Sequence, residues 1–434
     1  MDAICIDTAS IGAENTYKKS TDTSNTDKMD TDVKSTATSS IDTASTDAEN
    51  TYQKSTDTKS IEAKSTDADS IGADSIDTDS IGVNSVDVKC MLKDLSSLDA
   101  VSGNEKNMWE FLYGAFKSYC DKVEIDKFGN ITGLKKGQKP EKKIMVTSHY
   151  DEIGLLVKSI DGNGFIRFTN IGGVDPKILL AQEVIIHGKE NIYGVIGAKP
   201  PHLLNQEEAK KAVDIKKLFI DTGMSSEELK KKVSIGDFIS FKADFSELQS
   251  EMVSSKSFDN RCSVVAMLVA MEELSYIKHD QDIYFVASVQ EEVHLTGAIT
   301  ASYNLDPDLA IVLDVCGGDT PDAPKEKTST CGKGPTISIG PILHKDFTNK
   351  LIDAAKSENI PYQIGVEPGS TGTEAYATQV SRCGIPTVLI SIPLKYMHTS
   401  VETISIKDTR NCGKLVAKFI SAIDRMVRKG EWIC

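Results

Sequence analysis

From Cys90 onward, apolar residues recur in two rhythms. In CMLKDLSSLDAVSGNEKNMWEFLYGAFKSYC, Leu, Met, Trp and Phe fall at helical spacing, with Ser102-Gly103-Asn104-Glu105 as a helix-start signal. KVEIDKFGNITGLKKG predicts a hairpin turning at Gly129-Asn130. The apolar run KKIMVTS predicts a strand ending on His149, and IGLLVKSID follows it. Residues 160–248 break into short strands (GFIRFTNIGG, EVIIHG, YGVIGAKP, GDFISFKADF) divided by Gly and Pro, with SSEELKKKV as a short helical piece. This predicts a small β-domain. After 249 the rhythm alternates between helices such as CSVVAMLVAMEELSYI and strands such as DIYFVASVQ, LAIVLDV and TVLISIP. Alternation of this kind predicts an α/β sheet with helices on both faces. Residues 90–159 and 249–434 are thus expected to form one body, interrupted by the 160–248 insertion.

The front of the chain has another texture. Residues 1–89 contain no Leu, Phe, Trp or Pro. IDTASIGAENTYKKSTDT at 6 recurs as IDTASTDAENTYQKSTDT at 41, and later Ser returns every fifth residue from 55 to 85. Such a Ser/Thr-rich acidic segment buries too little apolar area to offset the entropy of ordering it, so a disordered low-complexity tail is expected. A stacked β-coil built on one small apolar residue per pentad is the alternative.

Charge sharpens this division. Of the formal net charge of -15, residues 1–89 carry -10, so the body is only mildly acidic. No basic stripe points to nucleic acid, and no apolar run is long enough for a membrane span. MDAICIDTAS lacks the basic and apolar regions of a leader. The nine Cys include no CxxC pair. That pattern fits reduced thiols, and a cytoplasmic location is expected.

Candidate chemistry follows from position. His149 ends one predicted strand, Glu291 and Glu292 another and Asp314 a third, while His398 comes shortly after TVLISIP. Ligands of open α/β sheets bind beyond the carboxyl ends of the strands. Asp259, in SFDNRC, sits just before a predicted helix. Taken singly, Asp259 also suits a helix N-cap, the Glu pair a solvated turn, Asp314 a strand-end cap and His398 a backbone hydrogen bond. His187, His202, His279 and His344 lack any such context and read as structural or surface residues. Jointly, two His and several carboxylates at one sheet edge suit a hydrolytic two-metal site, in which a carboxylate bridges the ions. Imidazole and carboxylate suit zinc. Asp151 is placed to accept the second ring N–H of His149 and fix its tautomer. Of Glu291 and Glu292, one is free to bind metal while its neighbour acts as general base.

At these residues the sequence resembles the M42 family of dinuclear metallo-aminopeptidases, whose members are also labelled endoglucanase or cellulase. The resemblance runs from about Cys90 to Cys434 and is carried, in order, by SHYDEIG, SFDNR, VQEEVHLTGA, LDVCGGDTP and SIPLKYMHTSVE. It implies a zinc-peptidase type of central mixed sheet with helices on both faces and a PDZ-like inserted dimerisation domain. It implies His149, Asp259 and Asp314 on one metal, and Asp259, Glu292 and His398 on the other. Glu291 is then the general base, and Asp151 orients His149. Two divalent ions per subunit are expected, zinc first with cobalt or manganese as alternatives. The implied substrates are short peptides, cleaved at the N-terminal residue, and the implied assembly is dimers joined into a dodecamer. Three positions depart from the family pattern: His294 for the usual Gly, Glu374 for a substrate-side Asp, and Lys395 for a common Arg. A deacylase or glycosidase on the same frame, or a scaffold without catalysis, are the alternatives.

Overall fold

The computed structural model describes residues 85–204 and 213–432. The repeated segment read at 1–89 lies outside the described residues except for its last few. Those already form structure: a helix spans Val88–Ser97, and the Asp87 carboxylate caps it by accepting the amides of Lys89 and Cys90.

The body is built on an eleven-stranded mixed sheet. Its centre is a parallel set, Asp282–Ser288, Lys143–His149, Leu309–Gly317 and Thr387–Lys395. These strands are apolar along nearly their whole length because both faces are covered. Their pleat sorts the core. Ile144, Val146, Phe285 and Ile311 join the large core beneath the helices Val88–Ser97, Phe258–Ser275, Lys345–Ser357 and Ile406–Arg428. Met145, Val286 and Ala310 point the other way, against Ala301 of the Thr296–Leu305 helix. The Phe258–Ser275 helix is buried nearly all round, as its lack of a polar stripe requires.

The expected hairpin pairs Lys122–Ile125 with Ile131–Lys135 at the sheet edge. Its turn is organised one step earlier than Gly129-Asn130, by the Asp126 carboxylate, which accepts the amides of Phe128, Gly129 and Asn130. The helix signalled at Ser102–Glu105 starts later, as a 3₁₀ turn at Lys106–Met108 running into Trp109–Lys117.

A closed six-stranded barrel interrupts the body, in the order Gly154–Ile160, Ile166–Ile171, Phe219–Asp221, Asn191–Gly197, Glu183–His187 and Phe238–Phe241. Leu155, Val157, Ile186 and Ile239 are among the residues that fill it. SSEELKKKV forms the Ser226–Lys232 helix, with a reciprocal capping box between Ser225 and Glu228. The barrel differs from the expected insertion at both ends. It takes in Gly154–Ile160, which the pattern placed in the body, and it releases Ser246–Glu247, which pairs with Met252–Ser255 in the main sheet. The cause is that a half-buried strand looks alike in either sheet. Among the described residues, no helix is long and apolar enough to cross a membrane.

Candidate metal centre

Parallel pairing sets the site. Ser288 lies opposite His149, and Val312 lies opposite Thr147. Two further residues along each strand bring Asp314 level with His149. Asp314 therefore does not end its strand, as the apolar run predicts, but sits inside it with Val315, Cys316 and Gly317 continuing beyond. Glu291 and Glu292 do not extend the Asp282–Ser288 strand either. They open a short helical turn, Glu291–His294, entered through Gln290 in the left-handed region. Asp259 lies at the start of the Phe258–Ser275 helix with extended backbone, and its carboxylate turns to the two imidazoles. His398 occupies the loop after Thr387–Lys395, at φ 60°.

These residues converge. His149, Glu291 and Asp314 offer ligand atoms all within 4.8 Å of one another, and so do Asp259, Glu292 and His398. Asp259 lies between the two groups: Oδ1 is 3.3 Å from His149 Nε2, and Oδ2 is 3.3 Å from His398 Nε2. Glu292 Oε1 is 3.2 Å from His398 Nε2, and Glu291 Oε2 is 3.8 Å from His149 Nε2.

Each His presents its other nitrogen to an oxygen. His149 Nδ1 faces Asp151, 3.3 Å from its carbonyl and 3.5 Å from Oδ1. Asp151 also does something its spacing does not reveal. Its fully buried carboxylate accepts the Ser102 hydroxyl and the amides of Glu291 at 3.0 Å and Glu292 at 3.3 Å, so it holds the turn that carries both glutamates. His398 Nδ1 faces the carbonyl of Gly173 at 2.9 Å.

That contact depends on glycine. A Cβ on Gly173 would meet His398 Nδ1 at 2.8 Å, and one on Gly172 (φ +76°) would meet Glu292 Oε2 at 3.2 Å. The pair in TNIGGVDP was legible only as a break between strands.

Glu402 was not singled out either, although it closes the stretch SIPLKYMHTSVE. Its buried carboxylate accepts the amide of Asp259 at 3.0 Å and that of His398 at 2.8 Å. Glu374 is fully buried, accepting hydroxyls from Thr147 at 2.7 Å and from Ser288. It braces the ends of two strands from within, while Ser370–Thr373, just before it, line the cleft.

Electrostatics favour a cation here. Burial, with repulsion from Asp314 and Glu292, pushes Glu291 up to about 9 despite His149 nearby. Burial lifts Asp314 well above the carboxylate range, and its Oδ2 is buried with no hydrogen-bond partner. Burial disfavours a charged His398, but Asp259 and Glu292 outweigh it and raise the imidazole to about 11. Burial likewise opposes charge on Asp259, yet the hydrogen bonds from His149 and His398 pull it below its ordinary value. Acidic groups crowded around an orphaned oxygen, with imidazole among them, form a donor set suited to divalent ions.

The site lies in a cleft of about 700 Å³, also lined by His294, Cys316, Lys327 and Glu367. The other histidines stand elsewhere: His187 bonds Ser240, His279 bonds the Gln281 carbonyl, His344 caps the Lys345–Ser357 helix, and His202 is exposed.

Residues 129–415 match the model of the M42 glutamyl aminopeptidases. The chain belongs to that family. It is similar to the lysyl aminopeptidase of Pyrococcus furiosus, 36% identical over 77% of this chain and 97% of the relative. Among solved structures, an aminopeptidase from Desulfurococcus kamchatkensis superposes with TM-score 0.72 at 39% identity, covering 77% of this chain and 94% of that one. The TET1 peptidase of Pyrococcus horikoshii, described as able to form a tetrahedron or a large octahedral shell, gives TM-score 0.68 at 32% identity over 77% and 99%.

In this M42 chain the site is braced by a buried ionic cluster. Glu152, next to Asp151, accepts from Ala100 N at 2.8 Å, from Lys256 Nζ at 2.6 Å and from the Ser257 hydroxyl, and it pairs with Arg261 Nη2 at 3.2 Å. Burial raises its pKa, but Arg261 and Lys256 outweigh that and hold it at about 2. Glu152→Ala leaves the buried Arg261 guanidinium without a carboxylate and Lys256 with Asp99 alone, so about 3–5 kcal/mol of stability should be lost. Urea denaturation near neutral pH measures it. Because the folded pKa is depressed, the wild type's advantage should be full above the ordinary Glu range and fade as pH falls toward 2.

Proposed function

We propose that this chain is a metal-dependent aminopeptidase that removes N-terminal residues from short peptides. Two divalent cations, zinc foremost, would be held by His149, Asp259 and Asp314 and by Asp259, Glu292 and His398. When bound, such ions acidify water and draw charge from a scissile carbonyl. The observation that carries the reading is Asp259, with one carboxylate oxygen 3.3 Å from each of two imidazoles.

The chain's own residues do the rest. Glu291 is not among the proposed ligands, and its carboxylate takes a proton from the attacking water and passes it to the leaving amine. Asp151 fixes the tautomer of His149, and the Gly173 carbonyl does the same for His398. Glu402 holds the backbone of Asp259 and His398 in place.

The barrel is read as the family's PDZ-like dimerisation domain. With the shell-forming TET1 relative in view, a closed homo-oligomer built from dimers is the assembly we infer, and the cytoplasm is the expected compartment.

A panel of aminoacyl fluorogenic amides, assayed after chelation and after adding back Zn²⁺, Co²⁺ or Mn²⁺, tests the reading. Free aminoacyl substrates should be cleaved and N-acetylated ones not. Chelation should abolish turnover and one of the ions restore it. Turnover indifferent to chelation, or equal on blocked substrates, would rule the proposal out.

A further inference from the structure

Beside the cleft runs a second depression, a groove of about 1170 Å³. Phe128, Ile299, Tyr303, Tyr376 and Val380 line it, and all are left exposed. A contiguous apolar surface of this kind marks a binding site more often than bare surface. It is not separate from the catalytic cleft. His294, Leu295 and Tyr376 line both, so the groove begins where the cleft ends.

We propose that this groove binds the peptide downstream of the scissile bond. It would thereby select substrates with apolar residues after the first and a free C-terminal carboxylate. The inference rests on the aminopeptidase reading above. If the N-terminal residue is held among Asp259, Glu291 and Glu292, the remainder of the peptide must leave the cleft by an open track. The groove supplies that track through the shared wall.

Its charges suit the far end of such a peptide. The Asp126 carboxylate is engaged by three backbone amides and by the Asn130 side chain. The cations in the lining are Lys127 and Arg382, the latter with its guanidinium 3.7 Å over the Tyr303 ring. Neither belongs to the proposed catalytic machinery. A carboxylate emerging along an apolar groove meets both.

The test compares an aminoacyl anilide, which has no downstream chain, with tetrapeptides sharing its first residue. One tetrapeptide carries Leu and Phe downstream, one carries Gly and Asp, and each is made with a free or an amidated C-terminus. In Val380→Asp and Phe128→Ser, kcat/KM for the apolar tetrapeptide should fall roughly tenfold, the scale of a lost apolar pocket contact. Anilide hydrolysis should stay unchanged. Amidation should weaken the wild type, and Arg382→Gln should erase that difference. The proposal is overturned if both variants cleave the apolar tetrapeptide like the wild type. It is also overturned if they change the mass of the assembly by light scattering, since the groove is then a seam between copies of this chain. A wild-type protein inactive on the anilide and every tetrapeptide would instead sink the peptidase reading itself.

Discussion

Glu291→Gln should lower kcat for aminoacyl amides by roughly 10²–10⁴-fold, the range expected for loss of a positioned general base. The substitution keeps the side chain's shape and removes its ability to take a proton. Because Glu291 is not counted among the metal ligands, the bound-ion content by elemental analysis should match the wild type. Stability should not suffer either. Gln fills the same volume, so the packing around position 291 is kept. A variant that stays folded, keeps its metal and loses turnover isolates the proton step from the metal site. Full activity would remove Glu291 from that role. Loss of one ion would make it a ligand, a result its 3.8 Å separation from His149 Nε2 makes worth measuring.

Asp259→Ala should have the less selective effect. Asp259 is the group whose two oxygens face His149 and His398 separately. Without it, both proposed ion positions lose a ligand, and the two imidazoles lose the charge that stands between them. Metal-derived charge stabilisation is worth several kcal/mol, so kcat/KM should drop about 10³-fold or more. Ion content should fall at both positions rather than one. Asp314→Ala and Glu292→Ala serve as controls, since each should empty chiefly its own side. If Asp259→Ala retained two ions per chain, the bridging assignment would be wrong.

Much of this geometry was legible in the residue pattern. Long apolar runs marked the central parallel strands because both their faces are buried. SSEELKKKV was readable as a helix, and polar residues at strand ends indicated where to look for chemistry. What stayed hidden depends on contacts remote along the chain. Nothing near Glu402 signals that its carboxylate will hold the Asp259 amide, 143 residues away. Gly173 reaches His398 across 225 residues. Asp314 was misplaced within its strand because an apolar run ending in a charge looks the same whether the strand stops there or continues through it. The Gly154–Ile160 strand was given to the body because periodicity reports which face is buried, not which sheet buries it. Glu374 reads as a stand-in for a substrate-side Asp, and only the hydroxyls of Thr147 and Ser288 explain how its carboxylate is accommodated inside.

The Gly172–Gly173 step follows directly from a barrel strand, Ile166–Ile171, and yet faces His398. The barrel is therefore no interchangeable accessory. A chimaera that swaps it for another domain discards the carbonyl 2.9 Å from His398 Nδ1, and should arrive short of metal even when its subunits associate normally. Because Gly172 and Gly173 lie between two barrel strands, Ile166–Ile171 and Glu183–His187, no swap of the whole barrel can spare them.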